Sequence, residues 1–188
     1  LSEDEKQRLG LPVFVKPARG GSSIGVSKVT TWEEFPTAVD LALEDDEKIL
    51  VEPEIVGQEV EIGVLHYADG TLLASVPALL AGIDDSDEGF YGFDTKYLDN
   101  VVTAEIPAPF APELTEKLRD MAIRAFEALN CEGLSRVDFF VTKDSVYINE
   151  INTLPGFTPI SMYPQVLAAS GVEYPALLEA LIEQALAK

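Results

Sequence analysis

Leu134-Ser-Arg-Val-Asp-Phe-Phe140 and, shortly after it, Val146-Tyr-Ile-Asn-Glu-Ile-Asn152 are two strand-like runs close enough in sequence to pair as a hairpin. Side chains on a strand repeat every two residues on one face, so Arg136 shares a face with Asp138, and Glu150 with Asn152. Asp138 stands opposite Glu150 only if paired residue numbers sum to 288, which requires an odd-length turn such as Lys143-Asp144-Ser145. The two carboxylates and the amide carbonyl would then form an all-oxygen cluster. Mg²⁺ or Mn²⁺ takes such ligands and completes its octahedron with water and phosphate oxygens. A solvated polar face on an ordinary hairpin is the alternative. Strands are depleted in Asp, Asn and Glu, and Asn149, Glu150 and Asn152 followed by Thr-Leu-Pro-Gly make a poor plain strand. The sequence therefore favours a site.

A second candidate lies upstream. Val13-Phe-Val-Lys16 reads as a strand, followed by Gly20-Gly-Ser-Ser-Ile-Gly25 and a second strand over Val26–Val29. Glycines let backbone N–H groups approach a phosphate, Ser22 and Ser23 add hydroxyl donors, and Lys16 supplies a point charge. The loop is neither a Walker A sequence nor the dinucleotide-binding glycine pattern. A glycine-rich hairpin beside an ordinary surface lysine explains it equally well from this stretch alone.

Between and beyond these stretches the pattern is mixed. Thr31 with Glu34 three residues on is a capping box, predicting a helix to about Leu43, although Pro36 could delay its start to Thr37. Ile49–Glu52 reads as a short strand. From Gln58 to Leu65, Val60, Ile62 and Val64 alternate with Glu59, Glu61 and Gly63, a strand with one apolar face. Leu72–Pro77 is its hairpin partner across Asp69-Gly70. Residues 82–100 form a long polar and aromatic loop with three glycines, the kind that serves a function or is disordered, and a mobile lid is expected there. Pro112–Leu129 reads as a helix burying Leu114, Leu118, Met121, Ala122, Ala125 and Leu129. Two short helices follow, one near Tyr163–Ala169 and one from Pro175 with an apolar stripe. Strands and helices mix without steady alternation, which predicts an α+β fold.

Composition narrows the function classes. The 188 residues are 47% apolar, enough for one sizeable core or two small ones. Lys and Arg total 13 against 33 Asp and Glu, a formal charge of −20. That balance argues against nucleic acid or a membrane surface as partner. Any bound phosphate must be held locally, by a few bases, backbone N–H groups or a divalent metal. Cys131 is the only cysteine, which excludes an internal disulfide and points to a reducing, cytoplasmic setting. No run approaches the roughly 20 apolar residues of a membrane span, and the acidic start Leu1-Ser-Glu-Asp-Glu5 is no signal peptide. His66 reads as a hairpin residue and Trp32 as a packing residue. Only a short segment precedes Lys16, which suggests a chain that begins at a domain boundary.

Lys16 with its Gly/Ser loop, Glu52, Glu59, Lys96-Tyr97, Arg136-Val-Asp138 and Asn149-Glu-Ile-Asn-Thr-Leu-Pro-Gly156 occur in that order. Together they resemble the D-alanine–D-alanine ligase family of ATP-grasp enzymes over about residues 11 to 188. The resemblance implies two α+β lobes with mainly antiparallel sheets, residues 1–56 being part of the central lobe and 57–188 the C-terminal lobe. It also implies that the family's N-terminal domain is absent. Lys16, Ser23 and Lys96 would contact phosphates, Glu52 and Ile55 would border the adenine, and Glu59 would take the ribose hydroxyls. Asp138, Glu150 and Asn152 would hold two Mg²⁺ or Mn²⁺ ions. Arg136 and the Gly156 N–H would stabilise the tetrahedral intermediate. Ser22 and Tyr97 would help fix the first D-alanine, and Ser161 with Met162 would bind the second.

The implied reaction joins two D-alanines through an acyl phosphate, for peptidoglycan precursor synthesis in the cytoplasm, in a full-length enzyme that is a homodimer. Residues 1–188 alone are expected to bind Mg-ATP without turnover. Two positions depart from the family pattern. Pro53 stands where a lysine is common beside the adenine-binding acid, and Phe93 where a tyrosine is common. Tyr97 looks like the dipeptide-forming type rather than the D-lactate-using type. Another carboxylate–amine ligase of the superfamily, or a nucleotide-binding module without catalysis, are the competing expectations.

Overall fold

The computed structural model describes residues 1–21, 23–81 and 103–187. They fall into two compact units, Leu1–Val56 and a second formed by Gly57–Ala81 and the residues from Thr103 onward.

In the first unit, helix α1 (Glu3–Leu9) precedes strands β1 (Val13–Pro17) and β2 (Ser27–Val29), helix α2 (Phe35–Asp45) and strand β3 (Ile49–Pro53). The sequence reading assigned no structure to α1. Its signal was present in Ser2-Glu-Asp-Glu5, a capping box in which the Ser2 hydroxyl and the Glu5 carboxylate satisfy each other's backbone N–H. The three strands form an antiparallel sheet in the order β2-β1-β3. Val13 and Val15 face a core with Val29, Ala38 and Ala42, joined by Trp32 and Phe35. Phe14 and Lys16 therefore lie on the other face.

Helix α2 starts later than the capping box at Thr31 predicts. Glu34 does turn back to accept from Thr30 N (2.9 Å) and Thr31 N (3.1 Å), but its own N–H donates to the Thr31 carbonyl (3.2 Å). Pro36 is the physical reason. A helix begun one turn earlier would require an N–H that proline lacks, whereas in the first turn of α2 none is needed. Pro53 ends β3, an edge strand, where a missing N–H is tolerated.

The second unit is built on β4 (Gln58–His66), β5 (Leu72–Ala74), β6 (Ala78–Ala81), β7 (Thr103–Glu105), β8 (Leu134–Val141) and β9 (Val146–Asn152), with α3 (Pro112–Ala128), α4 (Met162–Ala169) and α5 (Tyr174–Leu186). Its antiparallel strands run β7-β6-β4-β8-β9, with β5 also on β4. Both units are mixed and antiparallel, so the α+β expectation holds.

Two corrections concern which residues are buried. Strand β4 does not have one wet face. Val60, Ile62 and Val64 pack under α3, while Glu61, Gly63 and Leu65 are buried on the opposite side. A central strand is covered on both sides, which an alternating pattern alone does not reveal. Helix α3 buries Leu118, Ala122 and Phe126, whereas Leu129 is its C-cap and 64% exposed. The helix ends one residue too early to carry Leu129 inward.

Candidate functional site

Asp138 pairs with Glu150, and Arg136 with Asn152, in the register of the β8–β9 hairpin. The four side chains share one face, as their spacing predicts. The turn is not the three-residue one, however. Thr142 N donates to Ser145 O (2.8 Å) across the two residues Lys143 and Asp144, and the register shifts by one between Asp138 and Phe139. A β-bulge supplies the residue that a longer turn would have supplied, and bulges commonly re-aim side chains in this way.

On that face Arg136 grips Asp138 with two hydrogen bonds, Nε to Oδ1 and Nη2 to Oδ2, both 2.7 Å. Asn152 Nδ2 donates to Asp138 Oδ2 at 2.9 Å and to Glu150 Oε1 at 3.4 Å. Glu61, opposite Asp138 on β4, lies 3.2 Å from Arg136 Nε through its Oε2. Burial opposes a charge on Arg136. The hydrogen bond to Asp138 and the charges of Asp138, Glu61 and Glu150 outweigh it and hold the guanidinium protonated.

This donor set fits a divalent cation in its chemistry. Two carboxylates flank a single point, and that point already carries the positively polarised Asn152 amide nitrogen. A cation there would be met by the amide oxygen after a side-chain flip, a choice set by the hydrogen-bond network. Among the described residues no three His, Cys, Asp or Glu side chains gather as a metal site, so the cluster relies on Asn152 as third donor. The expected all-oxygen arrangement is corrected accordingly. Here Asn152 presents nitrogen to the acids, and Asp138 is engaged by Arg136.

At the C-terminal end of β9, Gly156 and Ser161 come together. A Cβ on Gly156 would lie 3.0 Å from Ser161 Oγ. That hydroxyl also accepts from Thr158 N at 3.0 Å. Ser161 is the N-cap of α4, which Met162 begins. Phe157 anchors the connection between the rings of Tyr163 and Tyr174, each 5.8 Å away, and its carbonyl accepts from the Tyr174 hydroxyl (2.9 Å). Glu59 lies on β4 opposite Phe140, on the face of Glu61.

In the first unit, Lys16 Nζ meets Glu52 Oε2 at 2.7 Å on the sheet face away from the core. Ile55 follows β3 and is half-buried. Ser23 and Gly25 hold positive φ angles of 57° and 70° in the glycine loop. The loop's entry is pinned by Asp46, which accepts from Arg19 N (2.9 Å), Nε (3.0 Å) and Nη2 (2.6 Å) and from Lys48 N (3.1 Å). Arg19 and these N–H donors hold the Asp46 carboxyl well below the ordinary carboxylate range. A depressed folded-state pKa gives stability that is present above the unfolded value near 4 and is lost as pH falls below it. The melting temperature should therefore fall as pH drops below about 4, and Asp46→Asn should lower the neutral-pH melt and flatten that acid limb. Parallel acid limbs in the two proteins would refute the assignment.

Ser22, Lys96 and Tyr97, with Phe93 and the rest of the 82–100 loop, lie outside the described residues. Sequence reasoning missed Glu61, which is 3% exposed. Its alternation with valines made it look solvated. The available signal was Arg136, whose guanidinium has more donors than one carboxylate takes from it, so a second acid on the neighbouring strand was to be sought. His66 ends β4 and pairs with Leu72 on β5, the hairpin position expected, and sits edge-on to Phe126 with centroids 6.1 Å apart. Trp32 packs likewise, edge-on to Phe35 at 6.0 Å. No helix among the described residues is long and apolar enough to cross a membrane.

Residues 1–183 match the family model described as D-ala D-ala ligase C-terminus. A D-alanine–D-alanine ligase of Corynebacterium efficiens is 65% identical over 186 residues, covering 99% of this chain and 52% of the relative. The solved D-alanine–D-alanine ligase of Coxiella burnetii superposes with a TM-score of 0.81 at 37% identity, over 98% of this chain and 48% of that one. The Bacillus anthracis D-alanine–D-alanine ligase complexed with ATP gives 0.78 at 27% identity, over 99% and 56%. The two antiparallel α+β units are those of the ATP-grasp ligases. Within that class the chain belongs to the D-alanine–D-alanine ligase family, whose C-terminal part it matches. It spans about half the length of the curated relatives it resembles.

Proposed function

We propose that this chain supplies the Mg-ATP-binding part of a ligase that joins two D-alanines to D-alanyl-D-alanine, for peptidoglycan precursor synthesis in the cytoplasm. The observation that supports it most is the pairing of Asp138 with Glu150, with Asn152 reaching both acids and Arg136 alongside. A bound ATP substrate with Mg²⁺ or Mn²⁺ would bring an activated phosphoryl group and cations that neutralise its charge. Asp138, Glu150 and Asn152 would hold the metal.

The chain's own residues bind, orient and neutralise. Lys16 leaves or shares Glu52 to meet the phosphates, with Ser23 and the glycine-loop amides beside it. Glu52 and Ile55 border the adenine, and Glu59 accepts from the ribose hydroxyls. The carboxylate of one D-alanine attacks the terminal phosphorus of ATP and ADP leaves, giving an acyl phosphate, and the amine of a second D-alanine, losing a proton, displaces phosphate. Arg136, desolvated and permanently charged, steadies the oxyanion that forms, together with the Gly156 N–H. Ser161 and Met162 receive the second D-alanine. Ser22, Lys96 and Tyr97 complete the assignment by their place in the sequence. Residues 1–188 by themselves are expected to bind Mg-ATP without turnover, because half a clamp leaves the phosphates open to water. Homodimerisation belongs to the whole ligase.

Titration of the chain with ATP, with and without Mg²⁺, tests the reading. Wild type should bind in a metal-dependent way, and Glu150→Gln should weaken binding at least tenfold with an unchanged circular dichroism spectrum. ATP binding that EDTA leaves untouched, or that Glu150→Gln leaves untouched, would refute the metal site. Robust dipeptide synthesis by these residues alone would refute the expectation of no turnover.

A further inference from the structure

The Arg136 guanidinium already occupies the carboxylate that the proposed cation needs. Both Asp138 oxygens accept from Arg136 at 2.7 Å, and Oδ2 also accepts from Asn152 at 2.9 Å. A carboxylate offers about four lone-pair sites. Those bonds take three of them, so a divalent cation on Asp138 shares the carboxylate with Arg136, and the two positive groups repel. Arg136 has little solvent to turn to, since its side chain is 15% exposed. A buried guanidinium that loses its carboxylate is costly unless another acceptor waits.

Glu61 is placed to be that acceptor. It is 3% exposed, it stands opposite Asp138 in the β4–β8 register, and its Oε2 is 3.2 Å from Arg136 Nε. The Nε–H is now donated to Asp138 Oδ1. A small rotation of the side chain would redirect it to Glu61.

We propose that Glu61 is a positioning residue, the second acceptor that retains Arg136 on this face when Asp138 turns its oxygens to a divalent cation. The inference rests on the reading of Asp138, Glu150 and Asn152 as metal donors. Glu61 then makes Arg136 and the cation compatible, where they would otherwise compete for one carboxylate. A Glu61 that only stabilises the fold would lower the melting temperature without linking metal affinity to Arg136.

The test is a double-mutant cycle on the whole chain, read by Mn²⁺ binding in the presence of ATP, using the electron paramagnetic resonance signal of free Mn²⁺. Wild type, Glu61→Gln, Arg136→Met and the double variant are compared, each checked for folding by circular dichroism. Glu61→Gln should weaken Mn²⁺ binding about tenfold in the wild-type background and less than twofold when Arg136 is already Met. An equal loss in both backgrounds would mean a plain charge effect and overturn the proposal. So would Glu61→Gln binding within twofold of wild type. If Glu61→Gln does not fold, Glu61→Asp keeps the charge but withdraws it by one methylene. Weakened binding there supports the contact, and unchanged binding overturns it. Wild type that takes up no Mn²⁺ with ATP would instead sink the metal-site reading beneath it.

Discussion

Asp138→Asn is expected to weaken Mn²⁺-dependent ATP binding more than a hundredfold and to destabilise the second unit by about 3 kcal/mol. The substitution keeps the shape and removes the charge. Its binding effect follows from the loss of one of two carboxylate ligands at the point Asn152 now bridges. Its stability effect has a separate cause. Arg136 keeps at most one of its two 2.7 Å hydrogen bonds, to the amide oxygen, and the amide nitrogen would turn donor hydrogens toward a group that has only donors. Breaking one side of a buried ion pair is costly because the other charge stays buried, and Glu61 offsets only part of that. Isothermal titration calorimetry reads the first effect and urea denaturation followed by circular dichroism the second. Glu150→Gln, by contrast, should lose binding with little change in stability. An Asp138→Asn protein as stable as wild type would mean that Arg136 does not depend on Asp138.

Gly63→Val should cost about 3 kcal/mol and leave much of the second unit unfolded well below the wild-type melting temperature. Gly63 lies on β4 opposite Arg136. A Cβ there would fall 2.5 Å from Leu167 Cδ2 and 3.1 Å from two ring atoms of Tyr163. Leu167 must rotate away, and Tyr163 has little room to follow. Both are fully buried, and the Tyr163 hydroxyl is tied to the Val64 carbonyl at 3.1 Å. Valine adds two methyl groups beyond that Cβ, in a core packed to crystal density. Urea melts of wild type, Gly63→Ala and Gly63→Val should order in that sequence. A Gly63→Val protein within 1 kcal/mol of wild type would show that α4 shifts easily on the sheet, contrary to the packing seen.

The site was more legible than the packing. Strand periodicity put Arg136 on a face with Asp138, and Glu150 on a face with Asn152, because two-residue alternation is a local property of the chain; that the two faces coincide depends on the turn and the bulge. The turn that aligns them was misread, since a two-residue turn with a bulge and a three-residue turn without one give the same pairing of Asp138 with Glu150. Sequence spacing cannot separate the two. The start of α2 was open for a similar reason, with the Thr31 box and Pro36 pulling apart. The glycine loop was legible as the connection between two strands, but its anchor was not. Asp46 reaches Arg19 from the far end of α2.

The sequence by itself determined most of the elements, though not α1, β6 or β7, and also the family, since each rests on residues near one another or on the ordered set of motifs. Only the tertiary structure decided that β4 is central and covered on both sides, that Glu61 is buried against Arg136, and that Gly63 leaves room for Tyr163 and Leu167. The reason is physical. Burial depends on which elements cover a strand, and that is set by contacts between residues up to a hundred positions apart, such as Tyr163 with Val64. Glu61, between Val60 and Ile62, looks the same in a solvated strand and in a buried one until its neighbours are known.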